Sequence, residues 1–356
     1  MMIFQKIASP IAAVALVAPA AASAQAPTPT TLGTTTEVTI AGAAGGWTAW
    51  SEKQGAAFAL AVRDPQGTLT HPSGATRRVP FDLDLGTDAA GKVVAAYSRC
   101  TTEPRRTGGV AASGPQYDSG AGCRIVILDL ASGTERTLKL ASGDASEVLP
   151  SVGGSKVAYI AVHKASKDRK RAFLAIRPIA STTAKTLRSD ARVVSSDPGS
   201  AQGPTTVDTD GKRVASLWRS MDNQFHEFDT ELYAGSVSGG SQVNVDGASN
   251  TDYCNFDTLA GATVSGSQVL YAEYVSDSNS GFALERRPAT GASKSEFAVS
   301  DSRPADGFPL VTSSAVDGNR VVVATSAVSA GESVGATTVA EYPLGTFTKK
   351  APKILC

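Results

Sequence analysis

Asp82, Asp84 and Asp88, in the stretch FDLDLGTD, are the acids whose spacing could do chemistry. Residues two apart on a strand face the same way, so Asp82 and Asp84 are expected to project together. Calcium takes several carboxylate and carbonyl oxygens from a segment of this kind. A Ca2+ site at Asp82, Asp84 and Asp88 is therefore one expectation, and a strand end whose acids cap backbone groups is the other. The remaining constellations are poorer. Residues 331–335, GESVG, match the G-x-S-x-G of a nucleophile elbow. That elbow needs a helix after the serine and a histidine later in the chain, whereas the last of the three histidines, His226, lies upstream. His71, His163 and His226 are far apart, and no Cys/His spacing fits a zinc site. Carboxylates could still supply general acid–base chemistry, but no catalytic set is expected.

The elements that must position these residues read as strands. VDTDGKRVASLW (207–218) is a short apolar strand, an Asp-Gly turn and a second apolar strand. Gly accepts positive φ and Asp bonds its own backbone, so the pair marks a hairpin. The same unit recurs at Gly46, Gly91, Gly154, Gly266 and Gly318, with successive glycines 45 to 63 residues apart. A second strand-like run follows each copy, as in CRIVILDL and RAFLAIRP, and then a fourth run such as TERTLKL or SQVNVDG. Runs ahead of the glycines, PFDLDLG and VLPSV among them, supply an innermost strand. Repeats of about 40–50 residues with four short strands each are the signature of propeller blades. The expected fold is all-β, a six-bladed β-propeller of four-stranded antiparallel blades; a seventh blade is the alternative if Ser181–Gln202 holds further strands. Trp47, Trp50, Trp218, Tyr97, Tyr159 and Tyr271 fall on the second strands, where packing between blades needs bulk; a glycan-binding row is the other reading.

The motif Asp210-Gly211-Lys212-Arg213-Val214, with Asp317-Gly318-Asn319-Arg320-Val321 as its second-best copy, resembles the repeat of TolB-like six-bladed β-propellers, including secreted members of high-GC bacteria. The resemblance covers about 37–350 and implies a fold and protein–protein contact, not an activity.

Met1–Ala24 reads as a secretory signal peptide, with Lys6 as the positive region, Ile11–Ala18 as the apolar core and Ala22-Ser23-Ala24 as the cleavage site. The apolar core is too short to span a bilayer, and no later stretch resembles a membrane span. Residues 25–36, QAPTPTTLGTTT, are Pro/Thr-rich and are expected to be a flexible leader; 37–356 then form one propeller domain. The chain carries 33 basic and 33 acidic residues, a net charge of zero, which argues against nucleic acid or an anionic membrane as partner. KASKDRKR (164–171) is the one basic cluster and reads as a solvated hairpin tip.

An exported chain sits in an oxidising compartment, and four cysteines permit three pairings. Cys100 ends one strand and Cys123 begins its neighbour, so Cys100–Cys123 is expected; Cys254–Cys356 is left as a latch for the last blade. The function expected is a secreted, monomeric protein-binding or scaffold module that uses loops such as Thr101–Gly122 and Asp246–Asp257, without catalysis or cofactor. The alternative is a glycan-active hydrolase or lyase, or a lectin-like glycan binder, working at a channel mouth with Asp82 and Asp84.

Overall fold

The computed structural model describes residues 29–103, 120–164, 170–188, 192–194, 203–222, 227–249, 256–276, 281–291, 295–302, 310–328 and 334–349. Every regular element among them is a β-strand. β1 (Thr30–Thr35) comes first, followed by six antiparallel meanders. The first comprises β2 (Ala41–Ala44), β3 (Trp47–Gln54), β4 (Ala57–Arg63), β5 (Leu69–Thr70) and β6 (Thr76–Arg77), the last two both pairing β4. The second is β7 (Asp84–Asp88), β8 (Val93–Arg99), β9 (Arg124–Asp129) and β10 (Thr134–Thr137). The third is β11 (Ser146–Gly154), β12 (Lys156–Lys164), β13 (Lys170–Pro178), β14 (Lys185–Thr186) and β15 (Arg192–Val194). The fourth is β16 (Gly203–Thr209), β17 (Arg213–Asp222), β18 (Glu227–Ser236) and β19 (Val243–Ser249). The fifth is β20 (Phe256–Ser265), β21 (Gln268–Ser276), β22 (Gly281–Pro288) and β23 (Glu296–Ser302). The sixth is β24 (Leu310–Asp317), β25 (Arg320–Val328) and β26 (Val334–Pro343).

The Asp-Gly turns fall between the first and second strands, as the repeat requires. At Gly211 φ is +81°, and Asp210 Oδ1 accepts the amides of Lys212 and Arg213 at 2.7 and 2.6 Å. The first strands touch in the order β2, β7, β11, β16, β20, β24 and back to β2, which is the ring of a propeller. Among the described residues the apolar core falls into six clusters, each between successive meanders, the last joining the sixth to the first. Trp50, Tyr97, Tyr159, Trp218 and Tyr271 are fully buried there and Trp47 is partly buried, so the second-strand aromatics are core and not a glycan-binding row.

Three expectations change. The strands hydrogen-bond into five sheets, three of four strands, one of five and one of nine. The nine-stranded sheet is the second and third meanders, joined by parallel pairing of Thr87 and Asp88 in β7 with Gly153 and Gly154 in β11. Glycine at 86 allows this, since a Cβ there would lie 1.9 Å from the Val152 carbonyl oxygen. Within Ser181–Gln202, β14 and β15 both pair β13 and so extend the third meander's outer edge. The leader expected to be flexible contains β1, which pairs β26 from Thr30↔Glu341 to Thr35↔Thr337 and supplies the sixth meander's fourth strand. Propensity does not predict this strand because its stability comes from a partner about 300 residues away. Met1–Ala24 and Cys254–Cys356 lie outside the described residues.

Cys100 and Cys123, 23 positions apart, are disulfide-bonded. The chain-entropy estimate for a loop of that size is about 3 kcal/mol. Replacing both with serine is expected to lower the stability by about that much in chemical denaturation. Gly33 of β1 lies against Trp50, whose Cζ2 would be 2.5 Å from a Cβ. Gly33→Val is therefore expected to destabilise by about 1–3 kcal/mol through overpacking, read as a lowered denaturation midpoint with the m-value unchanged.

Candidate functional site: the axial channel

All six first strands, or the residues entering them, line one narrow channel on the ring axis. It is bounded by Ile40 and Ala41, by Asp82 to Asp84, by Leu149 and Pro150, and by short segments around Thr206, Ala262 and Ser314. The cavity is about 30 Å3. Bulges help shape it: pairing slips by a residue in β11, β16, β20 and β24 close to these positions. In β11 the bulge puts Leu149 at φ +50°, a left-handed conformation that costs a branched residue about 1–3 kcal/mol and needs outside support.

Asp82 supplies that support. It precedes β7 and accepts four hydrogen bonds: Arg77 Nη1 at 2.7 Å and the Ser98 amide at 2.9 Å on Oδ1, then Ser98 Oγ at 2.6 Å and the Leu149 amide at 2.9 Å on Oδ2. Arg77 is buried and also bonds Glu103 at 2.8 Å. Asp82 thus ties the first meander to the second and the second to the third. Asp88 lies at the far end of β7, where Oδ1 accepts the amides of Ala90 and Lys92 at 2.8 and 3.0 Å. It closes the turn, as Asp210 does two meanders on.

Asp84 is placed differently. Its Oδ2 is closed off from solvent and receives no hydrogen bond among the described residues. It lies against Ser151 of β11 and Asp208 of β16. Asp208 Oδ1 faces Ser151 Oγ at 3.2 Å, and its Oδ2 accepts the Val264 amide of β20. Burial first, and the Asp208 carboxylate second, push the Asp84 carboxyl well above the usual range. Burial also pushes Asp208 up to about 6, against the donors that pull it down.

The expected triad therefore does not converge. Asp82 and Asp84 reach one channel but meet different partners, Asp82 lies ahead of the strand rather than in it, and Asp88 is a turn residue. Among the described residues no three Asp, Glu, His or Cys side chains form a group that could hold a metal ion. Asp208 was not singled out by spacing, because it is more than a hundred residues from Asp84 and only ring closure brings them together. His163 Nε2 meets Asp144 at 2.8 Å and His71 Nε2 meets Glu52, both away from the channel; His226 and residues 331–333 of the G-x-S-x-G stretch lie outside the described residues.

A closed ring of antiparallel meanders about an axial channel defines the chain as a β-propeller. No protein-family model matches it, and no curated protein does. Among solved structures it is similar to a protein of unknown function from Dyadobacter fermentans, at 10% identity and TM-score 0.48, over 88% of this chain and 99% of that one. The β-propeller domain of the Trilobed protease from Pyrococcus furiosus matches at 10% identity and TM-score 0.38, over 88% and 97%. A GH93 α-L-arabinofuranosidase of Fusarium graminearum matches at 10% identity and TM-score 0.46, over 85% and 92%. Likenesses this remote carry no argument, and the propeller assignment rests on the strand order itself.

Removing one partner of a buried ion pair leaves the other uncompensated, at about 3–5 kcal/mol. Arg77 keeps Glu103, so Asp82→Ala is expected to cost about 3 kcal/mol. Millimolar calcium is expected to leave that loss unchanged, a comparison read from urea denaturation with and without the ion.

Proposed function

We propose that the chain is an exported, six-bladed, TolB-like propeller that works as a binding or scaffold module for a protein partner, and not as an enzyme. The six blades are the six meanders, with the nine-stranded sheet counted as two that touch at the axis. The signal-peptide pattern of Met1–Ala24 supports export, and the Cys100–Cys123 disulfide is compatible with an oxidising compartment.

The observation that carries this reading is the size and lining of the channel. A cavity of about 30 Å3 takes a few water molecules, whereas small-molecule sites occupy roughly 300–1,000 Å3. That size supports a reading in which no sugar ring lies against Asp84. Asp82 and Asp208, which could flank a substrate in a wider channel, hold neighbouring blades together instead. A partner would then be met on the outer surface; of the segments expected to serve, Asp246–Asp257 is strand at both ends, 246–249 in β19 and 256–257 in β20. Monomeric state and identity of the partner belong to this proposal.

The test is a pair of measurements on purified mature protein. Polysaccharide and ester panels and a glycan array are expected to give neither turnover nor binding, while cross-linking in intact cells is expected to capture a protein whose cross-links map to one channel mouth. Turnover that Asp84→Ala abolishes would overturn the proposal.

A further inference from the structure

Asp84, Ser151 and Asp208 come from three different meanders, β7, β11 and β16, and meet at the axis. The hydroxyl between them has one hydrogen. Ser151 Oγ accepts the Thr209 amide at 2.9 Å and faces Asp208 Oδ1 at 3.2 Å. If its hydrogen goes to Asp208, none is left for Asp84, whose buried Oδ2 has no donor among the described residues. Two carboxylates this close, with Asp84 Oδ2 closed off from solvent, repel each other when both are ionised. Among the described residues that line the channel none is a cation. The charged groups around them are Asp210, at the turn after β16, and Asp82, which is paired with Arg77. Lys156 of β12 donates to the Gly211 carbonyl at 2.9 Å, and β20 contributes the Val264 amide. The channel lining from β2 and β24 is apolar or hydroxylic.

We propose that Asp84 and Asp208 share one proton across the axial channel, and that this proton is the tie that holds β7 to β16 past β11. Protonated Asp84 donates to Asp208, which gives the buried Asp84 Oδ2 a partner that it lacks among the described residues. Loss of the proton leaves two facing anions, and the second, third and fourth meanders are pushed apart at the axis. The protein is therefore a proton-sensitive ring, tighter in mild acid than above neutrality.

The sign follows from linkage. Both carboxyls titrate higher folded than unfolded, where the ordinary value is 3.8. The folded chain then binds more protons than the unfolded one, and stability declines as pH rises through the folded values. The window opens near pH 4 and runs through about 6, the value for Asp208, and beyond it for Asp84. Glu147 and Asp246 are also held high, burial being the first cause in each, so part of the slope belongs to them. The diagnostic is the difference between the parent and a variant that carries the proton's hydrogen bond permanently.

Asp84→Asn places an amide donor where the shared proton lies. Melting temperatures of the full mature chain are measured from about pH 4.5 to about 7.5, without and with millimolar calcium. The expected result is that Asp84→Asn melts above the parent at the higher pH, and that the parent's decline across the range shrinks by roughly 5 °C in the variant. Asp208→Asn is expected to shrink the decline in the same way, even if its lost bond to Val264 lowers stability at every pH. Infrared difference spectra are expected to show a protonated carboxyl band near neutrality that Asp84→Asn removes. A parent and two variants with the same pH slope would overturn the proposal. So would a calcium-dependent rise in the parent that Asp84→Asn abolishes, which would assign the pair to a metal instead.

Discussion

Ring closure is the constraint on which the rest of this molecule depends. Each meander covers its neighbour's apolar face, so an open ring would leave the core between the sixth and first meanders in water. The chain closes it by pairing its own ends, with β1 lying on β26. Thr337 Oγ1 donates to the Glu37 carbonyl at 2.7 Å, just beyond β1. Across the same seam Asp317 accepts the amides of Gly45 and Gly46 at 3.0 and 2.8 Å, and Arg320 donates to the Trp47 carbonyl at 2.9 Å. The entropic cost of closing a loop grows only slowly with its length, so pairing residues 30–35 with 337–341 is not much harder than pairing neighbours.

The contacts between blades combine apolar burial with a repeated polar device. Two positions after the turn glycine, a cation reaches to the next meander's turn: Lys156 to the Gly211 carbonyl at 2.9 Å, Arg213 to the Gly266 carbonyl at 2.6 Å, and Arg320 to Trp47 at the seam. Bonds from charged donors contribute more than neutral ones, about 1.5–3 kcal/mol each. They also fix the rotation of one blade against the next, which apolar packing alone specifies loosely. At the axis carboxylates do the same work from the other side, Asp82 between the first three meanders and Asp208 between the fourth and fifth.

This arrangement explains why the channel is narrow. Bulged first strands and glycines at 86, 153 and 261 bring backbones within contact distance, as the clash a Cβ would make at each position shows. Asp82 and Asp208 are drawn into structural bonds, and Asp84, whose Oδ2 has no donor among the described residues, faces another acid.

Much of the architecture was legible along the chain. Turn glycines at 46, 91, 154, 211, 266 and 318, with alternating apolar runs between them, specify hairpins through local backbone and patterning rules, and the buried positions of Trp50, Tyr97, Tyr159, Trp218 and Tyr271 follow from the same period. Cys100–Cys123 was legible because antiparallel neighbours in a meander bring their ends together. The cation two residues after the turn glycine was visible in GSKV, GKRV and GNRV, yet its partner was not. What depended on contacts between distant segments stayed hidden. Thr30–Thr35 has the composition of a leader and becomes a strand only because β26 offers an unpaired edge. Asp82, Asp84 and Asp88 look like one acidic set in sequence, but the twist of the blade sends one to Arg77, one to Asp208 and one to its own turn. Local physics decides which way a chain turns; only the closed ring decides which residues, hundreds of positions apart, must share the same small space at its axis.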